Sequence, residues 1–336
     1  MRLLVTGGAG FIGSAFVRLA LAEGWATRLV NLDKLTYAGN LENVAEVESD
    51  PRYRFVHGDI LDAALLARVF AEEAFDAVVH FAAESHVDRS ILGPAAFVET
   101  NVRGTFELLE AARAARTGRF LLVSTDEVYG SIPEPHEAAE TDPLRPSSPY
   151  SASKAGADLL ALSYFTTFRM PVMVTRASNN YGPFQFPEKL IPLMISNALE
   201  DRPLPIYGDG LQVRDWLHAD DHCRAIWAVV ERGAEGEVYN VGGSRALPNR
   251  EVVELILGTL GKPRSLMTTV ADRPGHDRRY AITTEKLEKA TGWQARIPFE
   301  EGLRATIDWY RANAGWTARV KSGEYLNYYE RNYGGR

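Results

Sequence analysis

The sequence predicts a doubly wound α/β fold built on a parallel sheet, and three features carry that prediction. Short β-branched runs alternate with amphipathic helical stretches through the first half, a glycine-rich turn joins the first run to the first helix, and an aspartate closes the second run. Such alternation marks right-handed βαβ units whose helices cover both faces of a parallel sheet. Strands are expected at 3–6, 27–32, 54–57, 77–81, 119–124 and 172–176, and helices at 12–23, 63–72, 97–115 and 150–168.

After Ala177 the character changes. Pro and Gly become frequent (Gly182, Pro183, Pro187, Pro192, Pro203, Pro205, Gly208, Gly210) and the apolar runs shorten. Helices resume at 219–231, 249–260 and 299–310, and a strand at 237–241 can return to the first sheet. The chain therefore divides, with a soft boundary, into a larger domain over 1–177 and a smaller, partly interleaved α/β lobe over 178–336.

Composition narrows the function classes. With 336 residues and 46% hydrophobic content the chain has ample material for a core. A net charge of −7 argues against the basic face that nucleic-acid binding needs, whereas a few arginines in one pocket can still hold an anionic small molecule. No apolar run reaches the ~18 residues of a membrane span, and residues 1–6 enter a strand without a charged and apolar leader. A cytoplasmic protein is expected. The single Cys223 cannot form an internal disulfide and reads as a small buried thiol on a helix. His218 and His222 stand four apart but lack a third ligand, so no metal site is expected.

The turn Thr6-Gly7-Gly8-Ala9-Gly10-Phe11-Ile12-Gly13 fits G-x-G-x-x-G at Gly8, Gly10 and Gly13, with Gly7 adding a closer spacing. Glycines here allow a tight turn, close approach of backbone to a pyrophosphate, and close helix–strand packing. Asp33, 20 residues beyond Gly13, closes the second strand where a carboxylate can accept both hydroxyls of an adenosine ribose. That makes the first domain Rossmann-type and favours NAD over NADP, whose 2′-phosphate would meet a negative charge. Asp59, after the third strand, is a weaker candidate for the adenine edge.

Tyr150 and Lys154 stand at i and i+4 on one helix face, downstream of Pro143, Pro146 and Pro149. A phenol is a poor base at neutral pH unless a nearby cation favours its phenolate, and Lys154 and a bound nicotinamide are both positive. Ser124-Thr125-Asp126-Glu127-Val128-Tyr129-Gly130 ends the fifth strand. Thr125 can hold a substrate hydroxyl. Two consecutive acids are unexpected there, since adjacent strand residues face opposite ways. For both to reach one substrate the chain must leave strand geometry at Thr125, and Gly130 suggests a turn. Eliminating water needs an acid at the leaving oxygen and a base at the neighbouring C–H, a division of labour open to two carboxyls in unlike environments. The alternative is a helix N-terminus, where Asp and Glu offset the dipole.

With these residues in view the chain resembles an extended short-chain dehydrogenase/reductase, and specifically the dTDP-glucose 4,6-dehydratase family. The similarity runs through the glycine loop, Asp33-Lys34-Leu35-Thr36-Tyr37-Ala38-Gly39-Asn40-Leu41, His57-Gly58-Asp59-Ile60, Phe81-Ala82-Ala83-Glu84-Ser85-His86, Thr125-Asp126-Glu127, Tyr150 with Lys154, Asn179-Asn180-Tyr181-Gly182-Pro183 and Asp272-Arg273-Pro274-Gly275-His276-Asp277. It implies that Tyr150 takes the O4 proton while C4 hydride moves to NAD⁺, that Glu127 removes the C5 proton, that Asp126 protonates departing O6, and that the hydride returns to C6.

By the same resemblance, Gly7, Gly10, Phe11, Ile12, Gly13, Asp33, Lys34, Leu35, Thr36, Asp59, Ile60, Phe81, Ala82, Ala83, Glu84, Thr100, Tyr150, Lys154 and Asn180 hold NAD. Ser85, Thr125, Asn179, Lys189, Leu190, Pro205, Ile206, Tyr207, Arg214, Asn249, Arg273 and His276 surround the sugar nucleotide. Arg214 suits a diphosphate; the bland alternative is an ion pair with Asp215 or Asp209. The helices at 97–115 and 150–168 carry apolar stripes that the resemblance assigns to a homodimer interface. Phe184 and Gln212 depart from the family pattern, where tyrosine and asparagine are common. A 4-epimerase on this scaffold would share the glycine loop, Tyr150 and Lys154 but not need Asp126 and Glu127. A non-catalytic dinucleotide sensor could dispense with all four.

Overall fold

The computed structural model describes residues 1–243 and 245–321. The strands of the first part are β1 (Arg2–Thr6), β2 (Arg28–Asp33), β3 (Tyr53–His57), β4 (Ala77–His80), β5 (Arg119–Thr125) and β6 (Val172–Ala177). Those that follow are β7 (Asn179–Tyr181), β8 (Leu204–Tyr207), β9 (Val213–His218), β10 (Val238–Val241), β11 (Ala246–Pro248) and β12 (Met267–Val270). Seven strands pair in parallel in the order β10-β6-β5-β4-β1-β2-β3. The order reverses at β1, and the crevice beyond the carboxyl ends of strands at such a point is where open α/β sheets take ligands.

The inner strands β1, β4 and β5 are largely apolar on both faces because both faces are covered. Leu3, Val5, Ala77, Val79, Leu121 and Val123 enter a core shared with the helices Phe11–Ala22 and Ala219–Arg232. The alternate residues Leu4, Val78, Phe120 and Leu122 meet the helices Ala63–Glu72, Thr105–Ala114 and Pro149–Phe168 on the other side. This is the two-residue period of a strand written in hydrophobic side chains. Cys223 is buried in the first of these cores, a small apolar-packed thiol.

Where one helix was expected over 97–115, the backbone runs from Ala95–Phe97 through a π-helical stretch, Val98–Gly104, into Thr105–Ala114. Such widened turns recur at functional sites. This one turns the Asn101 side chain inward, where its oxygen accepts the Glu84 N–H at 2.8 Å and its nitrogen donates to Ser153 Oγ at 2.9 Å.

The chain crosses between its two lobes more than once. After β6 it builds β7, β8 and β9 of the smaller lobe, then returns through Ala219–Arg232 to lay β10 along β6, covering an otherwise open edge. The smaller lobe closes around a third core formed by the helices Leu190–Leu199, Asn249–Leu260 and Phe299–Ala312 with β8 and β9. Phe184 packs there at 4.5 Å from Trp309, with the Arg18 guanidinium 4.6 Å above its ring.

Asp221 ties the lobes together: buried at 1% exposure, its Oδ2 accepts the N–H groups of Arg296 and Ile297, both at 2.8 Å. Asp221→Ala leaves two partly buried donors unmet and is expected to lower unfolding stability by about 2 kcal/mol. A denaturant midpoint within error of the parent protein would contradict that role.

Candidate active site

The carboxyl ends of β1, β2, β4, β5 and β6 open onto a cavity of about 300 Å³. A second cavity, of about 130 Å³, lies under the smaller lobe, and Glu127, Asn179, Glu188 and Lys189 line both. The two are therefore one continuous cleft.

At one end stands the glycine turn. Gly7 has φ +73°, and a Cβ there would sit 2.6 Å from the Ala82 backbone nitrogen. A Cβ on Gly13 would meet the Gly7 carbonyl at 2.2 Å, so the helix can start this close to the strand only with glycine. Gly10 caps that helix without a side-chain bond, leaving first-turn N–H groups toward the cavity, a favourable arrangement for phosphate. Gly8 faces Asn31 instead of the cavity.

Asp33 closes β2 with its Oδ2 accepting the Ala9 N–H at 2.9 Å and its Oδ1 the Leu35 N–H at 2.8 Å. Burial raises its pKa against those two bonds. Lys34 is held by Asp59 at 2.6 Å. The structure brings Gly7, Gly10, Phe11, Ile12, Gly13, Asp33, Lys34, Thr36, Asp59, Ile60, Phe81, Ala82, Ala83, Glu84, Thr100, Tyr150, Lys154 and Asn180 together around the larger cavity. Leu35 is absent from that wall; with φ +54° it serves the turn through its backbone bond to Asp33.

The acidic pair lies where the cavities join. β5 ends at Thr125, whose Oγ1 accepts the Glu127 N–H at 3.3 Å, and Asp126–Tyr129 wind into a 3-10 turn closed by Gly130 at φ +72°. The chain thus leaves strand geometry at Thr125, and both carboxyls line the cleft. They also occupy a helical first turn, so both roles expected for such residues coincide in one segment.

Their surroundings differ. Burial, then Glu127, then Asp215 raise the Asp126 pKa well above the carboxylate range, with Arg214 and Thr125 opposing, and Asp126 Oδ2 has no hydrogen-bond partner among the described residues. Burial raises Glu127 too, but Arg273, Lys189 and Arg214 pull it back. Acids outweigh cations around Asp126, where Arg214 opposes them, and cations outweigh acids around Glu127, where Asp277 opposes them.

Pro149 opens the next helix behind a Ser148 capping box, which puts Tyr150 in the first turn and Lys154 one turn on. Lys154 Nζ donates to the Val123 carbonyl at 2.7 Å, and burial lowers its pKa to about 8 against the pull of Asp158. Burial and Glu127 raise the Tyr150 phenol, opposed by a hydrogen bond to Thr125. Ionising this phenol therefore calls for more positive charge than Lys154 supplies by itself.

Ser85 and Thr125 line the larger cavity; Leu190, Pro205, Ile206, Tyr207, Arg214, Asn249, Arg273 and His276 line the smaller one, and Asn179 and Lys189 line both. Arg214 is buried, donates to the carbonyls of Val213 and Asp277, and lies 4.1 Å over the Tyr280 ring. Asp209 pairs with Arg278 instead, and Asp215 accepts from the Gly243 N–H. Arg273 holds Asp88 at 3.0 Å. Gln212 bonds Asp272, which also holds His276 at 2.6 Å.

Sequence reasoning passed over several neighbours. Tyr280 donates to Asp277 at 2.9 Å and reaches Glu127 Oε2 at 3.4 Å; Glu188 lines both cavities and pairs with Arg89 at 2.8 Å. Tyr280 stands three residues beyond the Asp272–Asp277 segment, and Glu188 directly precedes Lys189, so proximity to named residues was the available signal.

Because Asp126 keeps its proton more tightly folded than unfolded, its ionisation works against folding as pH rises from the ordinary carboxylate value through the raised native one. Asp126→Asn is therefore expected to gain stability over the parent progressively above about pH 4 and to match it below. Melting temperatures at pH 4 and pH 7.5 check this; equal differences at both would remove the buried acid.

A family model described as GDP-mannose 4,6 dehydratase matches residues 4–306. The dTDP-glucose 4,6-dehydratase of Shigella flexneri is 52% identical over the whole of both chains. A crystal structure of dTDP-glucose 4,6-dehydratase from Streptomyces venezuelae, with NAD and dTDP bound, is 54% identical and superposes with a TM-score of 0.94, covering 96% of this chain and 100% of that one. The UDP-glucose 4-epimerase of Thermus thermophilus, in complex with NAD, is 34% identical with a TM-score of 0.86 over 93% of this chain and 100% of that one. The broad sugar-nucleotide match, the half-identical relatives and the acidic pair at the end of β5 agree, and the chain belongs to the dTDP-glucose 4,6-dehydratase family of extended short-chain dehydrogenases/reductases.

Proposed function

We propose that this protein is a lyase that converts dTDP-glucose to dTDP-4-keto-6-deoxyglucose, with NAD as its resident cofactor. The observation that carries the reading is the unlike setting of two consecutive carboxyls in one cleft, Asp126 among acids and Glu127 among cations. In this reading residues 1–177 hold most of the dinucleotide and 178–336 most of the sugar nucleotide, with β10 returned to the cofactor sheet.

The residues fit the cofactor. Gly10 and the uncapped helix start suit its diphosphate, Asp33 has lone pairs left for the ribose hydroxyls, and Lys34, neutralised by Asp59, offers little to a 2′-phosphate. Arg214 makes no ion pair among the described residues and so brings positive charge to the substrate's diphosphate, with Arg273 and Lys189 beside it.

Bound NAD⁺ supplies the hydride acceptor, and later the hydride donor, and its positive ring adds the charge that Tyr150 needs. Thr125 holds the 4-hydroxyl and Tyr150 takes its proton as C4 is oxidised. The resulting ketone acidifies C5–H, which Glu127 removes, while Asp126 gives its proton to the leaving oxygen at C6. Glu127 then returns its proton to C5 as C6 is reduced. Tyr150 finishes with one proton more and Asp126 with one fewer; Thr125, bonded to Tyr150 and 3.4 Å from Asp126, lies on the path that resets them.

Deuterium placed at C4 of dTDP-glucose is expected at C6 of the product, without added cofactor, and Glu127→Gln should keep fold and NAD yet lose turnover by ~10²-fold or more. Product without deuterium at C6 would overturn the reaction.

No helix among the described residues is long and apolar enough to cross a membrane, and the proposed activity, on a nucleotide-linked sugar, fits the expected cytoplasmic setting. The resemblance further assigns it a homodimer. Exposed Val98, Phe106, Leu159 and Phe168 on and beside the helices Thr105–Ala114 and Pro149–Phe168 support that assembly. Leu159→Arg combined with Phe106→Arg should turn a dimer into a monomer in sedimentation; a monomeric parent would refute it.

A further inference from the structure

His222 sits on the inner face of the helix Ala219–Arg232 with 1% of its surface exposed, and it lines the larger cavity. Its neighbours fix its place. Nδ1 lies 2.9 Å from Asn180 Oδ1, and the next residue, Cys223, donates to the Ile12 carbonyl at 3.6 Å. The imidazole therefore faces the Asn179-Asn180 strand that follows β6, from a helix that packs against the first one.

Its hydrogen-bonding state can be worked out from partners alone. Asn180 Nδ2 donates to the Ser178 carbonyl at 2.9 Å, and flipping that amide would set two carbonyl oxygens against each other. Asn180 Oδ1 thus faces the ring as an acceptor, and His222 Nδ1 must carry the hydrogen. Burial holds the ring's pKa at about 3, so it is neutral and the second nitrogen has no hydrogen. Nε2 is left as a bare lone pair, buried, without a partner among the described residues, in a residue that walls the cavity. A buried acceptor left unmet is unfavourable, and a ligand that donates to it gains a bond the free protein lacks.

We propose that His222 is a cofactor-binding residue whose Nε2 accepts a hydrogen bond from an N–H or O–H donor on the nicotinamide half of the dinucleotide. The inference rests on the cofactor assignment above. The nicotinamide half is the one indicated, because Asp33 marks the adenosine end across the glycine turn while Asn180 follows β6 beside the Tyr150 helix. Two groups there share the required chemistry, the carboxamide N–H and the ribose hydroxyls. Phosphate, an acceptor, is excluded as a direct partner.

The test compares NAD dissociation constants, by calorimetry on full-length protein stripped of dinucleotide, for the parent and His222→Phe, which keeps a planar ring without nitrogens. Should that variant fail to fold, His222→Met fills the space flexibly. The expected result is roughly tenfold weaker binding. The same pair is then titrated with 3-acetylpyridine adenine dinucleotide, which lacks the amide N–H, and with analogues lacking one hydroxyl of the nicotinamide ribose. The analogue for which parent and variant become equal identifies the donor. Unchanged NAD affinity in the variant, or a loss equal for every analogue, overturns the proposal. A parent protein that binds no NAD at all would instead overturn the cofactor reading itself.

Discussion

The site depends on one local constraint, that the chain must stop being a strand at Thr125. As a continuing strand it would aim Asp126 and Glu127 at opposite faces of the sheet. The Thr125 hydroxyl caps the turn, and Gly130 takes the positive φ that ends it, where a Cβ would lie 2.2 Å from the Arg145 carbonyl. The turn is then anchored from behind. Tyr129 donates to Asn240 on β10 and accepts from Arg176 on β6, which in turn grips Asp158 on the Tyr150 helix at 2.8 Å. One buried network therefore fixes the acidic pair relative to Tyr150 and Lys154, and the returning strand β10 belongs to it.

That anchoring makes the difference between the carboxyls possible. Desolvation acts on both, so burial alone would leave two similar weak acids. What separates them is which residues of the smaller lobe each one meets. Glu127 meets Arg273 and Lys189 from beyond β6, and Tyr280 within reach of its Oε2. Asp126 meets Asp215 on β9 as well as Glu127 itself. The cations of the smaller lobe thus complete an electrostatic arrangement that the parallel sheet only begins.

Much of this was legible in the sequence for physical reasons. Strands covered on both faces are mostly apolar, so β1, β4 and the first half of β6 announce themselves, and the helices Ala63–Glu72 and Asn249–Leu260 fall on the expected residues. Gly7, Gly13 and Asp33 were readable because the turn tolerates few alternatives. Less visible were features created by tertiary contact. The π-helical stretch over Val98–Gly104 follows from the bonds of Asn101 to Glu84 and Ser153, which no local periodicity encodes. Tyr280 and Asp215 act on the acidic pair from more than 80 residues away along the chain. Arg214 could be read either as a surface ion pair or as a phosphate ligand; only burial against the carbonyls of Val213 and Asp277 removes the first choice.

Fold likeness by itself does not separate a dehydratase from an epimerase, since both use this scaffold. The distinction lies in proton inventory. Moving a hydride off C4 and back to C4 needs one base, and Tyr150 with Lys154 provides it. Expelling water from C5 and C6 needs a proton taken from carbon and another given to oxygen in the same cleft. A single residue would have to hold and lack a proton at once. Two adjacent carboxyls with opposite surroundings satisfy both demands, and burying them would be unfavourable with nothing gained if the reaction only inverted one carbon. Buried acidity of this kind, beside a third carboxylate at Asp215, is what a dehydrating active site requires and an epimerising one does not.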